Sequence, residues 1–190
     1  MRRSIPEGHP YFFVRSVLSQ LLDEVVAIHL GIYKYEPQVL RDEREVIAVP
    51  IRDFLDSDKM ALLLDEVSED REMAFHSDVT TVSGERKHMP MVDMSTGAAA
   101  HLEKIRPLLG SEIYESFTWF RSGRSFHGYG GLLIQEREWV QLMGALLLAN
   151  QKGLMPTVDP RWVGHRLIAG YSALRWTRNT PYYLGIPQKT

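Results

Sequence analysis

Two strand–turn–strand patterns, each followed by a helical pattern, constrain the fold of this chain more than any other feature. The strand-like runs are 72–82 with 87–94, and 115–120 with 125–134. Each pair surrounds a glycine-containing turn, and glycine suits tight turns because it adopts backbone angles that other residues avoid. Apolar residues at helical spacing follow over 96–110 and over 135–150. This order predicts an α+β fold, in which helices pack on an antiparallel sheet.

The remaining segments complete what we expect to be a single domain over residues 1–190. They are predicted to be a helix over 10–30, a short buried strand over 45–51, a helix over 53–68, and short strands and turns over 158–187. No repeat or Gly/Ser linker divides the chain. We assign residues 1–70 to an N-terminal extension of helices and a strand, and residues 71–190 to the core.

Composition argues against several kinds of site and location. The chain has no cysteine, which rules out disulfides, zinc–thiolate sites and thiol nucleophiles. No signal-peptide-like run follows Met1-Arg2-Arg3, and the longest apolar run, 142–149, is too short to span a bilayer. We therefore expect a soluble cytoplasmic protein with no membrane partner. The motifs of P-loop ATPases and α/β-hydrolases are also missing.

The segment 120–131, Phe-Arg-Ser-Gly-Arg-Ser-Phe-His-Gly-Tyr-Gly-Gly, is typical of a phosphate site. Arginine forks and serine hydroxyls donate hydrogen bonds to phosphate oxygens, and glycines allow close approach of the backbone. The candidate donors are Arg121, Ser122, Arg124, Ser125 and His127. A strand that ends in an ordinary polar turn is the alternative interpretation.

Charge is distributed unevenly along the chain. From residue 121 onward there are 9 Lys and Arg against 3 Asp and Glu, whereas residues 1–120 contain 13 against 21. Arginines and aromatic residues alternate in the basic part, a combination that suits phosphate contact and base stacking. The arginines of interest are Arg161, Arg166 and Arg175. The alternative is a basic face that packs on the acidic part of the same fold.

Two aspartates are candidate metal ligands. Asp93 ends the apolar run 89–92, and a carboxylate at the end of a buried strand can hold a divalent cation. Asp159 follows Thr157-Val158 and precedes Pro160. Each also has a structural interpretation, Asp93 as a turn or N-cap residue and Asp159 as the first residue of an Asp-Pro turn.

Two other groups of polar residues resemble metal motifs only superficially. Asp56-Ser57-Asp58 lies at a predicted helix start, where acidic residues complement the helix dipole. His76, His88 and His101 lack a zinc-site spacing. We expect neither group to bind a metal.

In their order along the chain, these motifs resemble the catalytic module of the archaeo-eukaryotic primase (primase-polymerase) superfamily. Members have a strand ending in Asp-x-Asp, then a Ser-x-His strand, then a hydrophobic residue followed by Asp. The matching positions are Val92-Asp93-Met94-Ser95, Ser125-Phe126-His127 with its Ser122-Gly123-Arg124 lead-in, and Val158-Asp159. Leu174-Arg175-Trp176 is similar to the Leu-Arg strand that follows. The resemblance covers roughly residues 73–187 and implies a core like an RNA-recognition motif.

The resemblance implies roles for the matching residues. Asp93 and Asp159 would bind Mg²⁺ or Mn²⁺, and His127 would contact the triphosphate of an incoming NTP or dNTP. Arg161, Arg166 and Arg175 would lie along phosphate or template. The chain departs from the pattern at Ser95, which stands where the family has its second carboxylate.

Three functions are compatible with these features. The first is a primase-like nucleotidyltransferase that makes or extends primers on a single-stranded DNA or RNA template, for example in replication of a mobile element. The second, favoured by Ser95, is a catalytically impaired subunit of a replication or defence assembly that binds nucleic acid or nucleotide. The third, a metal-dependent nuclease, leaves the histidine unexplained. The acidic N-terminal region is a candidate surface for a protein partner.

Overall fold

The computed structural model describes residues 4–41 and 43–190, and it consists of two antiparallel sheets with helices packed against them. Residues 1–3, on which the expected lack of a signal peptide partly rests, lie outside the described residues. The strands are β1 Val25–Tyr33, β2 Glu45–Pro50, β3 Glu72–Thr81, β4 Arg86–His88, β5 Met91–Asp93, β6 Thr118–Ser122, β7 Ser125–Tyr129, β8 Ile134–Gln135, β9 Ala173–Arg175 and β10 Gln188–Lys189. The antiparallel α+β prediction is confirmed, although the strands form two sheets rather than one.

The larger sheet has six strands in the order β2-β1-β3-β4-β8, and β9 pairs with β3. The smaller sheet has the order β10-β6-β7-β5. The helices are α1 Pro10–Ser19, α2 Ile51–Phe54, α3 Ser57–Asp65, α4 Arg106–Leu109, α5 Ser111–Glu115, α6 Glu136–Leu148 and α7 Pro160–Ala169, together with a 3₁₀ helix over Ala99–Ile105. Among the described residues no helix combines the length and the hydropathy needed to cross a bilayer.

The first predicted hairpin is present, but its second strand is divided. Gly84, at φ 79°, forms the turn between β3 and β4. The run predicted as one strand over 87–94 breaks after His88, and β4 and β5 join different sheets. Pro90 lies between them and has no N–H to donate to a strand ladder. This crossover carries the chain into the smaller sheet and leaves Asp93 at the end of β5.

The helix predicted over 10–30 is wrong beyond Ser19, where α1 ends. Residues 25–33 form β1, which lies between β2 and β3. Val25, Val26 and Ile28 are β-branched, and such residues favour a strand over a helix. The N-terminal third therefore contributes two strands to the larger sheet. The strand predicted over 45–51 is present as β2, but as a largely exposed edge strand rather than a buried one.

The prediction of short strands and turns over 158–187 missed α7. Asp159 caps this helix and Pro160 occupies its first position, both common at helix starts. Gly170, in the left-handed conformation, ends it. The strong helix prediction over 135–150 is confirmed as α6, whose start is fixed by Glu138 accepting a 2.8 Å hydrogen bond from the Gln135 N–H.

Candidate functional site

Asp93 and His127 are brought together by strand register. β5 and β7 pair antiparallel with Asp93 directly opposite His127. Directly opposed residues project their side chains to the same face of the sheet. Asp93 Oδ1 and His127 Nε2 are accordingly 3.7 Å apart.

Asp159 reaches the same place from a distant part of the chain. Met94 and Val158 form an antiparallel bridge, and the Asp159 N–H donates a 3.0 Å hydrogen bond to the Asp93 carbonyl. The Asp159 Oδ1 accepts hydrogen bonds from the N–H groups of Arg161, at 2.8 Å, and Trp162, at 3.2 Å. Asp159 therefore caps α7 rather than beginning an Asp-Pro turn, and it also lines the cleft that contains Asp93.

Burial and the second carboxylate change the ionisation of Asp93. Burial raises the pKa of Asp93 to about 8, and the charge of Asp159 adds to the rise. The Arg175 guanidinium opposes this rise in the pKa but does not reverse it. Ionisation of Asp93 is therefore unfavourable when no cation is nearby. A carboxyl held neutral beside another carboxylate is typical of a site with room for added positive charge.

His127 is held in its neutral form. Burial lowers the pKa of His127 to about 3, and the nearby Arg175 charge lowers it further. The ring is almost fully buried, and its Nδ1 has no hydrogen-bond partner among the described residues. A neutral imidazole keeps one N–H donor and one acceptor. His127 can therefore donate to a ligand oxygen across the whole physiological pH range.

Arg175 connects these groups to the serines of the 120–131 segment. It is 6% exposed, and its Nη2 donates 3.1 Å hydrogen bonds to Ser122 Oγ and to the Gly185 carbonyl. Its guanidinium lies 4.0 Å from the centre of the Tyr183 ring. Ser122 and Ser125 both line the cleft. Arg175 thus supplies a fixed positive charge and orients a hydroxyl in the same site.

The cleft has a volume of about 1530 Å³, and its lining residues come from segments between Ile32 and Tyr183. Its lining includes Asp93, Ser122, Ser125, His127, Asp159, Arg161, Arg166 and Arg175, all of which were singled out in the sequence. Arg166 is only 2% exposed, so it belongs to the wall of the cleft rather than to its open surface.

Two of the proposed phosphate-binding arginines lie outside the cleft lining. Arg121 packs 4.4 Å from the centre of the Phe126 ring and donates a 3.3 Å hydrogen bond to the Gly97 carbonyl. Arg124 is exposed at the turn between β6 and β7. Successive strand residues face opposite sides of a sheet, which separates Arg121 from Ser122.

Sequence analysis did not predict that the N-terminal third lines the cleft. Residues 32–41 and 43–45, in the connection between β1 and β2 and at its ends, form one wall. The signal was a local alternation of aromatic and basic residues, Tyr33, Lys34, Tyr35, Arg41 and Arg44, inside an otherwise acidic region. His165 of α7 was missed for the related reason that α7 itself was not predicted.

The side chains near Asp93 suit a divalent cation that takes only some of its ligands from the protein. Within residues 4–41 and 43–190, no three histidine, aspartate or glutamate side chains are grouped closely enough to hold a metal. Asp93 and Asp159 offer two carboxylates, and Ser95, which also lines the cleft, can add only a hydroxyl. Such a pair fits a hard cation that takes its other ligands from water and phosphate, as Mg²⁺ commonly does.

The Asp-Ser-Asp motif at 56–58 has a structural role, as expected. Asp56 caps α3 by accepting hydrogen bonds from the N–H groups of Asp58, at 3.0 Å, and Lys59, at 3.2 Å.

Comparison with known proteins agrees with this arrangement. The family model described as "AEP-like: Archaeo-eukaryotic primase 1D-like" matches residues 54–188. Searches of curated proteins and of solved structures gave no significant match. Because the family model covers well over half of the sequence, the chain belongs to the archaeo-eukaryotic primase 1D-like family and is a primase-fold protein.

Proposed function

We propose that this primase-fold protein is a nucleotidyltransferase that makes or extends short primers on a single-stranded template, using a divalent cation and NTP or dNTP. One observation supports the proposal above all. Asp93, His127 and Asp159 come from three separate segments and lie together on one cleft, beside the Arg175 guanidinium.

Asp93 and Asp159 are the residues that would hold the cation. Bound there, Mg²⁺ or Mn²⁺ would neutralise charge on the phosphates and lower the pKa of the attacking hydroxyl. Because burial and Asp159 raise the pKa of Asp93, cation binding would compete with protonation of Asp93. One oxygen of Asp159 is occupied in capping α7, so its other oxygen is the one available to a ligand.

His127 and the serines would bind the triphosphate. The neutral ring of His127 can donate one hydrogen bond to a phosphate oxygen, and the hydroxyls of Ser122 and Ser125 can donate others. Arg175 fixes Ser122 and contributes a positive charge next to the phosphates. In the proposed reaction, the primer 3′ hydroxyl loses its proton to water as its oxygen bonds to the α-phosphorus, and the bond from that phosphorus to the departing pyrophosphate breaks. Charge that builds up on the phosphate oxygens would be stabilised by these preorganised donors.

A second candidate is a member of the family that binds nucleotide or nucleic acid without catalysing transfer. Ser95 is the observation that favours it. Ser95 is two residues from Asp93, and its N–H donates a 2.9 Å hydrogen bond to the carbonyl of Thr157, which is two residues from Asp159. A carboxylate here would complete a set of three, and serine leaves the set at two.

A primer synthesis and extension assay with Mg²⁺ or Mn²⁺ and labelled nucleotides separates the two candidates. We expect labelled product from the wild type and at least about a hundredfold less from Asp93→Asn and His127→Ala, because each removes a group that contacts the phosphates or their counter-ion. Asp58→Asn, at an exposed helix start, and His101→Ala, outside the cleft lining, are matched controls that should retain activity.

Binding without product assigns the chain to the second candidate. Activity that survives in both Asp93→Asn and His127→Ala would refute the proposed site. Cleavage of the template by the wild type would identify a nuclease instead.

A further inference from the structure

Three tyrosines form an aromatic cluster, and two of them line the cleft. The ring centres of Tyr35 and Tyr182 are 5.2 Å apart, and those of Tyr35 and Tyr183 are also 5.2 Å apart. Tyr35 and Tyr183 line the cleft, and Tyr182 is 58% exposed. We call Tyr35, Tyr182 and Tyr183 the tyrosine platform. It joins the connection between β1 and β2 to the C-terminal segment.

The other aromatic residues of the basic half are less available to a ligand. Trp139 and Trp176 are each 1% exposed, and their indole N–H groups bond to Ser172 and Tyr129. Trp162 is half-buried and donates its indole N–H to the Ala173 carbonyl. Tyr182 therefore stands out among these aromatic residues as a ring with a large accessible face.

The backbone that carries Tyr182 is anchored on both sides. Glu72, fully buried in β3, accepts hydrogen bonds from Thr180 at both its N–H, at 2.8 Å, and its hydroxyl, at 2.7 Å. On the other side, Arg178 donates a 3.0 Å hydrogen bond to the Tyr183 carbonyl, and Arg175 donates to the Gly185 carbonyl. An exposed ring on an anchored turn loses little conformational freedom when a ligand stacks on it.

Positive charge surrounds the platform. The guanidinium of Arg44 lies 4.1 Å from the centre of the Tyr33 ring, next to the platform, and that of Arg175 lies 4.0 Å from the centre of the Tyr183 ring. Across the whole cleft, six arginines and one lysine face five carboxylates. Two of those carboxylates, Asp93 and Asp159, are the proposed cation ligands. The cleft thus combines cationic groups for phosphates with a flat ring for a base.

We propose that the tyrosine platform stacks an unpaired base of a single-stranded nucleic acid, DNA or RNA, whose phosphates follow the arginines of the cleft. This inference rests on the proposed function and adds the surface that holds the template strand. Stacking requires only the face of a base, so the platform accepts any sequence.

Fluorescence anisotropy of a labelled single strand of about 12 nucleotides tests the inference, because single-strand sites commonly span about 4–16 nucleotides. Oligo-dT and oligo-U are measured in parallel to distinguish DNA from RNA. Tyr182→Ala should weaken binding of the preferred strand about 5- to 150-fold, the range that corresponds to loss of one base–aromatic stack. Tyr182→Phe, which keeps the ring, should bind within about twofold of the wild type.

Two controls separate this inference from the proposed function. Leu184→Ala truncates an exposed side chain in the same segment without removing a ring, and it should bind like the wild type. Thermal stabilisation by Mn²⁺ with nucleotide should be unchanged in Tyr182→Ala. Equal affinities of Tyr182→Ala and wild type, or an equal loss in Leu184→Ala, would overturn the stacking role. A wild type that binds neither strand would also overturn it. If Mn²⁺ with nucleotide still stabilised that protein, the proposed nucleotide site would not be affected by this result.

Discussion

Replacing Asp93 by asparagine should stabilise the protein while it removes the proposed activity. Folding raises the pKa of Asp93 from 3.8 to about 8, so ionising this carboxyl is unfavourable in the folded state. A group with a raised folded pKa contributes stability that is complete below pH 3.8 and is lost as the pH rises towards 8. Asparagine has nearly the same shape and no proton to lose. The stability of the variant should therefore not fall in this way as the pH rises towards 8.

The size of the effect follows from the pKa shift. A change of about four pKa units corresponds to about 5–6 kcal/mol at about 1.4 kcal/mol per unit. The Asp93 side chain is 23% exposed, so water and local relaxation reduce this upper bound, and we expect about 1–3 kcal/mol at pH 8. For a chain of this size, that gain raises Tm by roughly 3–10 °C. At pH 5 the gain should be smaller than at pH 8, because part of the titration lies above pH 5.

Thermal and urea unfolding of the wild type, Asp93→Asn and the exposed-site control Asp58→Asn, at pH 5 and pH 8, measure this difference. Mn²⁺ should stabilise the wild type at pH 8 and have little effect on Asp93→Asn, since a ligand stabilises only the folded state that binds it. An Asp93→Asn variant that is no more stable than the wild type at pH 8 would refute the reasoning. Asp93 would then be an ordinary residue at the end of a strand.

Three further predictions concern other parts of the structure. Burial lowers the pKa of His76 to about 3, so the stability of the wild type should fall as the pH drops below 6.5. In urea titrations, His76→Asn should show a slope that is shallower by up to about 1.4 kcal/mol per pH unit between pH 6 and 4. Gly128→Ala should destabilise the fold by about 1–3 kcal/mol in the same assay, because the new methyl would lie 2.5 Å from the Trp119 ring; an unchanged midpoint would contradict this packing. Ser95→Asp should strengthen Mn²⁺ binding, measured by calorimetry, by about tenfold or more, and equal affinities would show that Ser95 is too far from the cation.

Local sequence patterns predicted the hairpin next to the site, but they did not predict which strands pair with each other. The Ser-Gly-Arg turn predicted the hairpin of β6 and β7, because glycine can adopt the φ of 63° found at Gly123. The register that sets Asp93 opposite His127 depends on β5 pairing with a strand more than thirty residues away along the chain. Nothing local specifies that pairing, and only the resemblance to a known family connected the two residues.

The two wrong secondary-structure predictions, over 10–30 and over 158–187, have identifiable physical reasons. Over 10–30, the same apolar residues satisfy a helical spacing and a strand alternation, and pairing with two neighbouring strands decides for the strand from Val25 onward. In α7, the polar residues Arg161, His165 and Arg166 lie on the cleft-lining side and interrupt the apolar pattern that marks a helix. The residues that interrupt the apolar pattern are thus ones that line the cleft.

Several atoms of the site have a structural contact as well as a proposed chemical role. Asp159 caps α7 with one oxygen, and its backbone N–H bonds to the Asp93 carbonyl, so the helix start also fixes the distance between the two carboxylates. Arg175 bonds to Ser122 and stacks on Tyr183, which links the serines of the smaller sheet to the tyrosine platform. A buried carboxyl whose pKa is raised to about 8 and a neutral histidine 3.7 Å away do little for stability. Their adjacency is better explained by a ligand that brings positive charge and phosphate oxygens together, which is the chemistry of a metal-bound nucleotide.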